Sequence, residues 1–317
     1  MAATDAREEQ YVAQTLRSDR IFAGTVRAST GIFVAIVAGL FVMLVLGSWP
    51  AIQTFGLRFL ATSEWNPVTG QFGALPMIYG TVVSSAIGIA LAGAVGILGA
   101  AFLADFAPLL IARPLSFLIE LLAAVPSVVF GLWGLFILSP FLRDQIDPVL
   151  QSKLGFVPLF AGPIFGSSLF TAGIILAIMI VPTVTAISRD IIVTVLSQHQ
   201  EASMALGATR WETMWRIILP AAKSGIFGAC ILALGRALGE TIATTMVIGN
   251  KPAIAASLFA PSYTLASVIA NEFTEATSDI YLSALIELGL LLFLVSMIVN
   301  GVARLLTWTV FRTSQAR

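Results

Sequence analysis

The chain has 317 residues, 58% of them hydrophobic and only 11% charged, with 17 basic and 17 acidic side chains and a formal net charge of zero. Soluble domains are usually about a quarter charged, so this composition excludes a water-dispersed protein and points to an integral membrane protein. Neutral net charge gives no ground for a nucleic-acid partner. One cysteine and one histidine exclude a disulfide framework and a Cys/His metal centre.

The first 28 residues carry the polar runs DAREEQ and RSDR ahead of any apolar stretch. A cleavable signal peptide has its apolar core close behind a basic start, so this segment is expected to be a cytoplasmic tail, with a short helix around Arg7 to Leu16. A membrane helix needs roughly 20 mostly apolar residues. Six stretches qualify: Thr30–Ser48, Leu75–Leu103, Leu115–Leu138, Leu169–Ile187, Ala221–Ile248 and Ile280–Leu305. The predicted fold is an all-α integral membrane protein with six transmembrane helices. If the N-terminus is cytoplasmic, twelve Lys and Arg residues fall inside and four outside, with Arg236 within the membrane. Positive charge concentrates on the cytoplasmic side, so both termini are expected there. The predicted division is a tail at 1–28, a first helix and outer loop at 29–74, a core at 75–306 with a cytoplasmic elbow at 197–219, and a tail at 307–317. The outer connections Trp49–Ala74, Ser139–Gly166 and Asn250–Asp279 are long enough to dock a partner or simply to join helices. Pro126 and Pro182 fall inside apolar runs and predict kinks, either as static shape or as hinges.

The inner connection LSQHQEASMALGATRWETMWRIILPAA, residues 196–222, has its own internal grammar. Ser197 with Gln200, and Thr209 with Glu212, are capping-box pairs. Gly207 lies between them, where a helix can end in a left-handed turn. Pro220 is expected to interrupt the helix at Leu219 before the fifth span. The pattern predicts helix, Gly turn, helix, which can act as a mechanical part or lie passively on the lipid surface. Glu201-Ala202-Ser203, Gly207 and Ile217-Ile218-Leu219-Pro220 resemble the EAA loop of importer permeases in the ABC transporter superfamily, with Ser203 where the pattern has a second Ala. The resemblance implies a type I ABC importer permease-like fold. It also implies that Glu201, Ala202, Ser203 and Gly207 couple the chain to a separate ATPase subunit. No Walker A pattern occurs in the chain, so ATP and Mg are expected on that partner and no cofactor in this chain.

The run GRALGETIATTM, residues 235–246, places Arg236 and Glu240 within the predicted fifth span. Fifteen residues separate Ala221 from Arg236, which is roughly 22 Å at ~1.5 Å per residue. An ionised side chain near mid-membrane costs ~2.5–3.5 kcal/mol on insertion scales, so it must face protein or water. On an unbroken helix Arg236, Glu240 and Thr244 form one stripe, Gly235, Gly239 and Ala243 the next, and Thr241 adds a hydroxyl. That arrangement suits a helix lining a polar path; an internal ion pair that ties helices together is the other reading. Glu120 and Glu287 also lie in apolar runs, without evident partners.

GRALGETIATTMVIGN resembles phosphate importer permeases of the PstC and PstA type, as do Ile119–Gly134 and Val181–Ile192, and SEWNP at 63–67 resembles the PstC branch. The resemblance implies a heterodimer with a homologous PstA-like permease, two PstB-like ATPase subunits and a PstS-like extracytoplasmic phosphate-binding protein, all at the cell (inner) membrane. It assigns Arg236, Glu240, Thr241 and Thr244 to the phosphate path. Phosphate keeps a proton at neutral pH that sulfate lacks, and a carboxylate beside the Arg fork can read that proton. Permeases for sulfate or molybdate share the class. An intramembrane enzyme lacks a catalytic cluster here, and a passive channel has no use for a docking elbow.

Overall fold

The computed structural model describes the backbone of residues 2–312, and the side chains from Asp19 to Leu305 apart from Arg20 and Gln198. Among the described residues six helices are long and apolar enough to cross a membrane: Ile21–Phe55, Leu75–Phe106, Ser127–Leu154, Leu169–Ser197, Arg210–Leu238 and Asp279–Leu305. The first belongs to α1, Ala2–Phe55, which absorbs the expected Arg7–Leu16 helix without a break at residue 28. A small hairpin follows, with β1 (Trp65–Asn66) paired antiparallel to β2 (Gln71–Phe72). Helix α2, Leu75–Ala101, ends in a wide π turn at Phe102–Phe106.

The third span begins later than predicted. Helix α3, Leu109–Ala123, is a separate element, and the span is α4, Ser127–Leu154. The reason is Pro126, which lacks an N–H and disfavours helix at Val125, so the chain turns and restarts with Pro126 in extended geometry. Glu120 therefore lies exposed on α3 rather than within a span. The expected outer connection Ser139–Gly166 is helical as far as Leu154, and Asp147 is fully buried there with neither carboxylate oxygen hydrogen-bonded.

Helix α5 runs unbroken from Leu169 to Ala205. The expected helix start at Ser197 does not form, because the chain is already helical there and the Ser197 hydroxyl donates back to the Thr194 carbonyl at 2.8 Å. Helix α6, Arg210–Leu238, also passes through its expected interruption. Its π turn at Met214–Ile218 lets the Leu219 N–H reach the Met214 carbonyl, and this extra residue makes room for the Pro220 ring. The fifth span then stops at Leu238, ten residues short of its predicted end at Ile248. After a turn at 239–241 come α7 (Ile242–Val247), α8 (Leu265–Glu272) and α9 (Asp279–Arg312).

Helices α2, α5 and α6 form the centre. Ala92, Leu176, Ile180, Val184, Ala233 and Ala237 are buried together there. Lipid is as apolar as these side chains, so close packing rather than water exclusion holds them, and the alanines permit it. Helix α8 joins this centre through its Leu265 N–H, which donates to Thr81 Oγ1 at 2.9 Å. Helices α1 and α9 pair at the side: Ser283 Oγ donates to the Gly47 carbonyl at 2.9 Å and accepts from the Ala51 N–H at 3.0 Å. The hairpin closes that end. Trp65 Nε1 and the Tyr281 hydroxyl both donate to Glu272 Oε2, at 2.7 and 2.6 Å, and Phe72 stacks on Tyr281 at 5.2 Å. Nearby, burial pushes the Tyr263 phenol up to about 12, and its oxygen accepts from Asn271 Nδ2 at 3.0 Å.

Candidate functional site

The elbow between α5 and α6 carries the first group of predicted residues. Helix α5 ends in a complete Schellman turn. The Ala208 N–H reaches the Ser203 carbonyl at 3.3 Å, and the Gly207 N–H reaches Met204 at 3.0 Å. Gly207 sits at φ +88°, the left-handed region that only glycine enters without strain. Thr209 then caps α6 in a capping box with Glu212, as its spacing predicts. Glu201, Ala202 and Gly207 face outward, and Leu206 between them is 90% exposed. Ser203 does not face outward. It is buried, and its hydroxyl shares a 2.9 Å hydrogen bond with the buried Thr213 hydroxyl, which ties the two arms of the elbow together. The hydroxyl that departs from the Ala pattern is therefore part of the elbow's interior, and its side chain is not available to a docked surface.

The second group surrounds Arg236. Its Nη1 donates to Thr183 Oγ1 on α5 at a long 3.4 Å. Thr183 is 14 residues from each end of the Leu169–Ser197 span, roughly 21 Å either way at ~1.5 Å per residue. Arg236 thus lies level with the middle of the fourth span, yet its side chain is exposed on the surface of the chain. Among the described residues it forms no ion pair with Glu240 or any other acid. The predicted single stripe is absent because the helix ends first. Gly239 closes α6, and the Glu240 carboxylate accepts from the Ala243 N–H at 3.2 Å, satisfying a donor at the start of α7. The small α7 docks closely on α4: a Cβ on Gly131 would stand 2.5 Å from Met246 Sδ and 3.1 Å from Ala243 Cα.

This docking separates the predicted path residues. Glu240 and Thr241 remain half-buried beside the turn, with Thr241 Oγ1 donating to the Gly239 carbonyl at 3.3 Å. Thr244 is 1% exposed, with its hydroxyl unpaired inside the protein, so it does not share a surface with Arg236. Glu287 is also buried, with Oε2 lacking a hydrogen-bond partner. Toward the elbow from Arg236, Leu232 and Gly228 continue its stripe at i−4 and i−8. With Asn300 and Arg304 of α9 they line an open groove of about 760 Å³. The sequence reading passed over Thr183 and Asn300. Both are polar residues inside apolar runs, the same signal that marked Arg236.

A family model described as Binding-protein-dependent transport system inner membrane component matches residues 96–310, from the end of α2 through α9. The chain belongs to that family. With six apolar helices it is a multi-pass inner-membrane transport component. A Mesorhizobium japonicum relative named Phosphate transport system permease protein PstC is 44% identical over 308 residues, covering 96% of this chain and 94% of its own. A Pasteurella multocida relative of the same name is 46% identical over 275 residues, 86% of each chain. A looser likeness, TM-score 0.48 at 17% identity, links 73% of this transport component to 93% of a chain in the inward-facing MetNI methionine ABC transporter. In this family member the elbow and the Arg236 turn both lie inside the matched segment. One offers an exposed ridge on a rigid turn. The other offers a guanidinium fork with most of its donors open, which suits a planar or tetrahedral oxyanion.

Proposed function

We propose that this chain is a permease subunit of an ATP-driven importer for inorganic phosphate. The observation that carries the reading is the identity of 44% across 96% of the chain to a protein named for phosphate transport. An exposed arginine at mid-span gives it physical content. A cation at that depth needs water or protein beside it. A homologous PstA-like permease packed on this face would supply both, with the anion passing between the two chains. The basic loops support cytoplasmic termini, and in that orientation the elbow faces inward. There Glu201, Ala202 and Leu206 meet a PstB-like ATPase that binds ATP and Mg, and a PstS-like protein delivers phosphate from outside. Arg236 holds the anion transiently, while Glu240 and Thr241 at the turn accept or donate to its protonated oxygens. ATP-driven motion of the elbow opens the path inward.

Uptake of labelled phosphate by the assembled importer in proteoliposomes tests this. Charge-assisted hydrogen bonds contribute ~1.5–3 kcal/mol, so Arg236→Gln is expected to lower uptake roughly 10- to 100-fold with assembly intact. Uptake unaffected by that change, or driven equally by sulfate, refutes the assignment.

A further inference from the structure

The elbow is joined to a third element that neither the motif nor the path explains. Asp105 lies in the π turn at the end of α2, and its side chain is only 4% exposed. Its Oδ1 accepts from Gln200 Nε2 at 2.8 Å and from Arg210 Nη2 at 2.9 Å, and Arg210 Nη2 also reaches the Asp105 carbonyl at 3.0 Å. Gln200 is on the last turns of α5 and Arg210 opens α6, so the two arms of the elbow converge on one carboxylate. The contact extends sideways through Phe106 against Trp211, ring centres 5.8 Å apart, and Trp211 against Trp215 at 5.4 Å. The π turn matters to this geometry. The Ala107 N–H bonds to Phe102 five residues back, at 2.8 Å, and the extra residue re-aims the side chains of the last turn.

We propose that Asp105 is the joint through which movement of the elbow is passed to α2. It is a positioning residue for transport, and the inference rests on the permease reading above. A buried carboxylate held by a guanidinium and an amide is stronger and more directional than a water-exposed pair. When a docked ATPase shifts the elbow, the end of α2 must follow or the bonds must break. Helix α2 packs directly on α5 and α6 in the centre of the bundle, against Ala233 and Ala237 that flank Arg236 in the chain. Without the joint the elbow would still dock, and α2 would keep its apolar packing through Ala100 and Ala101 on Ile192, Leu196 and Ile218, but the directional link that fixes its end to the elbow would be lost.

The test uses the intact importer, purified with its ATPase and reconstituted in proteoliposomes, and reads anion moved per ATP hydrolysed. Asp105→Ala and Arg210→Ala are each expected to lower that ratio at least fivefold while the ATPase stays bound and active. Asp105→Asn keeps an acceptor in place and is expected to retain more coupling than Asp105→Ala. Because both residues act through one joint, the double Ala variant is expected to be no worse than the poorer single one. An unchanged ratio, losses that multiply in the double variant, or loss of the ATPase from the complex overturns the proposal. If the wild-type complex moves no phosphate, the substrate assignment fails. The joint is then judged by the same ratio with whichever anion stimulates hydrolysis.

Discussion

Replacing Gly207 isolates the contribution of one backbone angle. A Cβ built there meets nothing within 4 Å, so a larger side chain has space, and the penalty comes only from φ +88°. A non-glycine residue in the left-handed region costs about 1–2 kcal/mol. Asn tolerates the region far better, and a β-branched residue is a true outlier there. The Schellman turn would open about 5- to 30-fold more often in Gly207→Val, somewhat less in Gly207→Ala, and close to the wild-type rate in Gly207→Asn. The Gly207 and Ala208 amides that close the turn are direct reporters, since each is hydrogen-bonded only while the turn is formed. Hydrogen exchange followed over residues 203–213 of the assembled complex measures the opening. In the same preparations, anion moved per ATP should fall in the order Asn, Ala, Val. A Val variant that exchanges as slowly as wild type, or an Asn variant as impaired as Val, refutes the backbone argument.

Two further outcomes follow from hydrogen bonds. Ser203→Ala strands the buried Thr213 hydroxyl and is expected to destabilise by ~1–3 kcal/mol, whereas Ser203→Ala with Thr213→Val should be nearly neutral; thermal unfolding in detergent ranks the two. Glu272→Ala removes the shared acceptor of Trp65 and Tyr281 and should cost roughly 3–6 kcal/mol from two charge-assisted bonds, with the 65–72 hairpin becoming the first site of proteolytic cleavage.

Four of the six spans were legible from apolar length alone, since a run of that length has few other stable states in lipid. The two misplaced ends share a cause. At Ala124–Pro126 and at Gly239–Thr241 the helix stops inside a stretch that is apolar on average, and averaged hydropathy does not distinguish a turned helix from a straight one. Proline alone was an unreliable guide: Pro126 breaks the chain, while Pro220 is absorbed by a π turn that ends two residues earlier and that no residue type announces. Capping grammar worked at Thr209, where Gly207 had already ended a helix, and misled at Ser197, where nothing had. Arg236 stood out because charge is rare in an apolar run. Asp105 did not, because its partners lie 95 and 105 residues away and its meaning exists only in three dimensions.

The doubly bonded Ser283 hydroxyl and the Phe41–Phe293 ring contact at 5.5 Å join the first and last membrane helices along several turns. Two helices sewn together over that length would tilt as a single strut, carrying the 65–72 hairpin with them through Glu272.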